Sequence, residues 1–327
     1  MRYLLWIVVV PIVLVIVVGI VGERRLPFND QPQFAVAFSA AQARYLGFEP
    51  EALLNRIISD YSPRHFRLQA NWNELEPKPG KYQFDELDAQ IAAVKNSGAT
   101  VTLALGRKLP RWPECHDPAW LANLRPDEAV ARQFEMLTAV VEHYVEEKAI
   151  VRWQLENEPL FAYGACLQPN MHRLRAELGQ LLQLDKTRPV IITDSGELSS
   201  WWETASLAQE QGVTFYRVTW NPVFGYFAYP WPAYYYRFKA ALIYPFVKKI
   251  IVSELQLEPW APQGLHLLSL TEAQNSLSVQ RWQDNVATFR RTGFDEAFLW
   301  GVEWWYYAKD KLGEPGYWQA GAELFQE

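Results

Sequence analysis

Eight short apolar runs, each followed by a longer polar or amphipathic stretch, set the tightest limit on what this chain of 327 residues can fold into. They are FAVAFS (34–39), HFRLQA (65–70), TVTLAL (100–105), VRWQLE (151–156), PVIITD (189–194), FYRVTW (215–220), KIIVSE (249–254) and AFLWGV (297–302). Between them lie helical patterns such as DELDAQIAAVKNSG, which stops on a glycine, and DEAVARQFEMLTAVVEHYVEE. Strands that alternate with helices pair in parallel through right-handed crossovers. Eight such units match a (β/α)8 barrel, which typically takes ~250 residues. The rival doubly wound sheet would carry a glycine-rich phosphate turn after the first strand, and FSAAQARYLG has none. The expected fold is therefore a (β/α)8 TIM barrel over 34–327.

The first residues form a separate object. No residue from Tyr3 to Gly22 is charged, and Val, Ile and Leu dominate. Twenty apolar residues at ~1.5 Å each span the ~30 Å hydrocarbon layer. A cleaved signal peptide is the alternative, but its apolar region is usually ~7–15 residues long, and VVGIVGERR offers a poor cleavage site. The reading is a transmembrane anchor over 1–24 and a linker over 25–33. Arg2 and the amino terminus favour a cytoplasmic start, whereas Arg24 and Arg25 favour the reverse.

Several functions are disfavoured. A net charge of −6 with scattered Lys and Arg argues against a nucleic-acid surface. The five histidines form no HxH or HExxH spacing, so no metal site and no cofactor are expected. Cys115 and Cys166 follow the third and fourth runs, whose loops lie side by side in a barrel. A disulfide between them is expected, with two buried thiols as the alternative, and it would place the barrel in an oxidising compartment.

In a barrel, chemistry sits where strands end and the following loops begin. The runs here end on Asn71-Trp72, Asn157-Glu158, Trp220-Asn221, Glu254 and Glu303-Trp304, so polar and aromatic groups gather at one mouth. Glu158 and Glu254 face each other across it. Glycosidic cleavage needs such a pair, one carboxyl protonated to serve the leaving oxygen and one ionised to meet the anomeric carbon.

The segments FRLQANWNELEPKPGKYQFDELDAQI, WQLENEP, VSELQLEPW and LWGVEWWYY resemble the clan-A glycoside hydrolases, which include the family 5 cellulase-like enzymes. The resemblance implies a retaining β-glycosidase acting on an oligo- or polysaccharide, with Glu158 as acid/base and Glu254 as nucleophile ~5–5.5 Å away. It implies that Asn157 bonds the sugar 2-hydroxyl, that Arg67 keeps the nucleophile ionised, or pairs within the core, and that Tyr216 contacts the nucleophile, or packs. Trp300 or Trp304 would be the platform under the reactive sugar, and Trp72 joins the substrate-binding set. The clan's strand-six histidine is absent from FYRVTWNP. A barrel that binds glycan without cleaving it, or a transglycosylase using the same residues, are the alternatives.

Three further acids and one aromatic stretch need a reading. Glu156 shares the face of Glu158 by strand alternation; it is expected to pair inside the barrel with Arg67 or Arg152, with raising the pKa of Glu158 as the alternative. Glu258 is a substitute nucleophile or a loop contact, and Glu303 a supporting group. Nine aromatics fall between Phe224 and Phe238. They are sugar platforms, an interfacial belt, or packing. Polymeric sugar is mostly extracytoplasmic, so the barrel is placed outside the membrane, with secretion as the alternative.

Overall fold

The structure is a computed structural model that describes residues 13, 16–17, 19–22, 24, 26–165, 170–244, 246–247 and 249–326. Eight parallel strands close into a barrel: β1 Gln33–Ala37, β2 His65–Asn71, β3 Thr100–Gly106, β4 Ile150–Leu155, β5 Val190–Asp194, β6 Glu210–Phe215, β9 Lys249–Gln256 and β10 Glu296–Trp300. Their order around the barrel is β1-β10-β9-β6-β5-β4-β3-β2. Two more strands, β7 Val218–Asn221 and β8 Gly225–Ala228, form an antiparallel hairpin at the mouth after β6.

The sixth run is thus corrected. FYRVTW straddles the end of the barrel strand and the first arm of the hairpin, while the barrel strand itself reads EQGVTF. Glu, Gln and Gly hid that strand from hydrophobic patterning, and packing explains the Gly. A Cβ on Gly212 would lie 2.6 Å from Thr193 Cγ2. The eighth run also ends early. Gly301 at a φ of 118° turns the chain, and helix Val302–Lys311 takes Glu303 and Trp304 off the strand. Trp304 is therefore not a platform: it is fully buried, edge-on to Tyr317 at 4.8 Å. Trp72 is core as well, since it is fully buried and donates Nε1–H to Glu76 Oε2 at 2.7 Å.

Inside the barrel three tiers can be followed from floor to mouth. At the floor Arg152 binds Glu210 (2.7 Å) and Glu296 (3.1 Å), Lys249 reaches Glu296 (2.8 Å), and His65 sits between Thr100 and Thr102. Above them Ala35, Ala37, Ile191, Ile251 and Phe298 make an apolar plug. On that plug stands the polar tier around Arg67 described below. No helix among the described residues is long and apolar enough to cross a membrane, and the expected span over 3–22 lies largely outside the described residues.

The floor makes a pH prediction. Burial pulls the His65 imidazole down to about 4, against the attraction of Glu296, so the folded chain keeps it neutral. The unfolded chain takes that proton at its ordinary value of 6.5. Stability present at neutral pH is therefore lost as pH falls from about 6.5 to about 4, by a few kcal/mol. Thermal unfolding of the parent chain and His65→Gln across this range checks it. The parent's Tm should fall with pH and the variant's should fall less; equal slopes contradict the assignment.

Candidate active site

The chain leaves β4 through two left-handed residues, Glu156 at a φ of 56° and Glu158 at 44°, with Asn157 between them. Non-glycine residues hold such angles only where surrounding contacts impose them. Here Glu158 N–H donates to Thr193 Oγ1 (2.8 Å) at the end of β5, and Lys108 Nζ donates to the carbonyls of Glu158 (3.0 Å) and Phe161 (2.9 Å). The twist breaks strand alternation, so Glu156 and Glu158 do not share a face. Glu156 accepts from Arg107 N–H (2.9 Å), Lys108 N–H (2.6 Å) and Gln133 Nε2 (3.0 Å). It ties down the loop after β3 and makes neither of the expected barrel ion pairs. Gly106 is required beside it, since a Cβ there would lie 2.5 Å from Glu156 Cδ.

Glu254, on β9, is held from two sides. Arg67 Nη1 lies 3.3 Å from Oε1, and Tyr216 O–H donates to Oε2 at 2.8 Å. Tyr216 follows the true end of β6 directly, which is why it reaches the site. Arg67 also donates to Gln154 Oε1 (2.7 Å), the Ser253 carbonyl (2.9 Å) and Asn157 Oδ1 (2.9 Å). Asn157 Oδ1 further takes the Thr193 hydroxyl at 3.2 Å, so the amide is fixed, and its buried Nδ2 has no hydrogen-bond partner among the described residues. A buried donor is therefore left unbonded on the amide that Arg67 and Thr193 hold.

The two carboxyls are made unlike by their surroundings. Burial, then the charge of Glu254, then that of Glu114 hold the Glu158 carboxyl well above its ordinary value. Glu158 is only 6% exposed. Tyr163 belongs to the same site: burial and then the charges of Glu114, Glu158 and Glu254 push its phenol up to about 12. Its ring and that of Tyr216 both meet Trp260, at 6.0 and 5.3 Å.

A second cluster closes one side of the mouth. Arg111, at a φ of 83°, lays its guanidinium 3.8 Å from the centre of the Trp300 ring. It donates to Glu258 Oε1 and to Glu303 Oε2 (2.9 Å), and Glu303 in turn accepts Ser39 N–H at 2.6 Å. Burial pushes Glu258 up to about 7, with Arg111 opposing and Glu303 assisting. Trp300 thus stands at the mouth with a cation over it, and Glu258 pairs with Arg111 and, among the described residues, shows no hydrogen bond to Arg67 or Tyr216.

Sequence reasoning missed Arg111, Lys108, Glu114 and Tyr163. All four lie in the loops after β3 and β4, where no periodicity marks a side chain's direction; the clustering of Arg107, Lys108 and Arg111 in GRKLPR was the available signal. Trp220 and Asn221 lie on the hairpin, outside the barrel. Cys115 is disulfide-bonded; the other cysteine of the chain, Cys166, is outside the described residues. Among the described residues no group of three or more His, Cys, Asp or Glu could hold a metal ion.

Residues 65–134 match a glycoside hydrolase family model described as beta-galactosidase. That stretch holds Arg67 and Arg111 and stops short of both acids. A beta-galactosidase from Bifidobacterium bifidum is 30% identical over 105 residues, which cover 27% of this chain and 15% of the relative. The chain therefore spans a small part of that curated protein. Among solved structures, a beta-galactosidase from Marinomonas ef1 superposes with a TM-score of 0.60 at 11% identity, covering 90% of this chain and 59% of that one. Endo-glycoceramidase II from Rhodococcus sp. gives 0.55 at 14%, covering 84% and 75%. A glycoside hydrolase family 10 endo-beta-1,4-xylanase gives 0.54 at 12%, covering 83% and 86%. What these solved structures share with 83–90% of this chain is the (β/α)8 barrel fold.

Because Glu254 raises Glu158, removing its charge must lower it. In Glu254→Gln the Glu158 carboxyl should titrate at lower pH than in the parent chain, followed by carboxyl carbon chemical shift. An unchanged titration would mean that the two acids do not sense one another.

Proposed function

We propose that this chain is a retaining β-glycoside hydrolase of the clan-A type, close to its family 5 members, that cleaves an oligo- or polysaccharide by double displacement. The observation that carries the reading is the unlike pair. Glu158 is buried and held protonated above the usual carboxylate range, while Glu254 receives Arg67 and Tyr216. Glu254 attacks the anomeric carbon and the bond to the leaving oxygen breaks as Glu158 delivers its proton there. Glu158, now ionised, takes a proton from water, whose oxygen displaces Glu254 and restores both groups. Asn157 Nδ2, buried and unpartnered, offers a hydrogen bond to the sugar hydroxyl next to the reacting carbon. The partial matches to beta-galactosidases make a β-galactoside the first sugar to try.

The same proposal keeps residues 3–22 as a membrane anchor, on their uncharged sequence, and places the barrel outside the cytoplasm. The disulfide at Cys115 supports an oxidising compartment.

Release of aryl alcohol from a panel of aryl β-glycosides tests the chemistry. Glu254→Ala and Glu158→Ala should each lose about 10²-fold or more in turnover, as expected for loss of a nucleophile or a general acid. The rate of the parent should fall as pH rises through the raised value of Glu158, because that group must start protonated. Full turnover in Glu254→Ala would overturn the assignment, and glycan binding without turnover in the parent would favour a binding protein. Tyr216→Phe, which removes one hydrogen bond to Glu254, should lower turnover more than it changes KM.

A further inference from the structure

Exposed apolar side chains are concentrated on one flank of the barrel. Among the described residues, thirteen of the nineteen large hydrophobic side chains that face solvent fall in two places, between 13 and 21 and between 198 and 246. The first group is the N-terminal helix, where Val13, Ile16, Val17, Ile20 and Val21 are 45–51% exposed. The second includes Phe224 on the hairpin (78%), Tyr234 (70%) in the first turn of helix Ala233–Ile243, and Tyr244 and Phe246 beyond its end (45% and 50%). Trp202, from the neighbouring β5–β6 connection, meets Phe246 edge-on at 4.9 Å.

The two groups form one surface because the helices that bear them are packed together. A Cβ on Gly19 would fall 1.9 Å from the Phe238 ring, and one on Gly22 would fall 3.0 Å from Ala241 Cβ. Positions three apart on one helix meet positions three apart on the other in the same order, so the two run parallel. Val13 is then level with Pro232, the N-cap of the barrel helix and the end of the segment that leads to it from β8. The apolar helix thus lies along the barrel's flank from floor to mouth, beside the hairpin. From Val218 to Tyr236 no residue is charged.

We infer that this flank rests in the surface of a lipid bilayer, with the N-terminal helix and the aromatic hairpin among the acyl chains and head groups. The composition fits lipid better than glycan or protein. Aliphatic Val and Ile on the helix are joined by Tyr, Trp and Phe along its border, the mixture that settles at the boundary of head groups and hydrocarbon. A sugar wall would pair flat rings with hydrogen-bonding side chains, and a protein interface of this extent would carry a polar rim. The stretch 218–236 offers no charged rim, and its one side-chain amide, Asn221, accepts from Val223 N–H and Phe224 N–H within the hairpin turn. This reading depends on the surface alone and stands whether or not the barrel cleaves glycosides. If it does, the mouth opens beside the lipid surface.

The test uses the full chain reconstituted in phosphatidylcholine vesicles, with a nitroxide placed by Phe224→Cys, Tyr234→Cys or, on the opposite side of the barrel, at exposed Ala92 by Ala92→Cys. Oxygen partitions into lipid and a nickel chelate into water. The ratio of their relaxing effects should be about tenfold higher at 224 and 234 than at 92, as expected for groups buried at the acyl boundary. Water-like ratios at all three positions overturn the inference even if the chain sediments with the vesicles, because the N-terminal segment alone would then hold it. Labels at 224 and 234 that become shielded only as protein concentration rises would assign the flank to self-association and overturn it equally.

Discussion

The polar tier depends on one buried cation. Arg67 is 1% exposed, and burial lowers the pKa of its guanidinium against the attraction of Glu254. A charge in that position is tolerable only when paired and hydrogen-bonded. The pairing is distributed over the barrel: Gln154 and Asn157 from β4 and its end, Ser253 and Glu254 from β9. One side chain thereby sets the position of the amide and of one acid together. A lysine could satisfy the charge but not the planar geometry of those contacts.

Around that fixed point the two glutamates meet different surroundings. Glu254 sits among donors. Glu158 sits on a strained turn, faces Glu254 and Glu114, and is almost dry. The raised pKa of Glu158 follows from these surroundings and not from residue type. The second arginine, Arg111, repeats the device at the rim, where it neutralises Glu258 and Glu303 while covering Trp300. Two acids of similar sequence setting, Glu254 and Glu258, are thus separated by which arginine reaches them.

Much of this was legible beforehand, for reasons that can be stated. Seven of the strands follow apolar runs because a parallel strand covered on both faces must be apolar throughout. The sixth fails because Gly212 is chosen for its lack of a Cβ, and the hairpin beside it is a better strand by composition. The placement of Glu158, Asn157 and Glu254 together at the barrel mouth was legible because all three lie at or just after the ends of apolar runs, where a barrel gathers its loops. Trp304 and Trp72 were misread because large aromatics serve core and platform alike, and only the start of a helix at Val302 turns Trp304 inward. Glu156 was misread because alternation assumes extended backbone, whereas its φ of 56° points it at the loop after β3. Arg111 and Tyr163 carry no periodic signal, since loop residues are directed by the contacts of their loop.

The central claim is that Glu254 attacks carbon. Treating the full chain with a 2-deoxy-2-fluoro aryl β-galactoside, whose glycosyl-enzyme forms but hydrolyses slowly, and mapping the modified peptide by mass spectrometry would test it most directly. The account predicts one equivalent of fluorosugar on Glu254. An adduct on Glu258, or inverted product from an ordinary β-galactoside with no adduct, would contradict it.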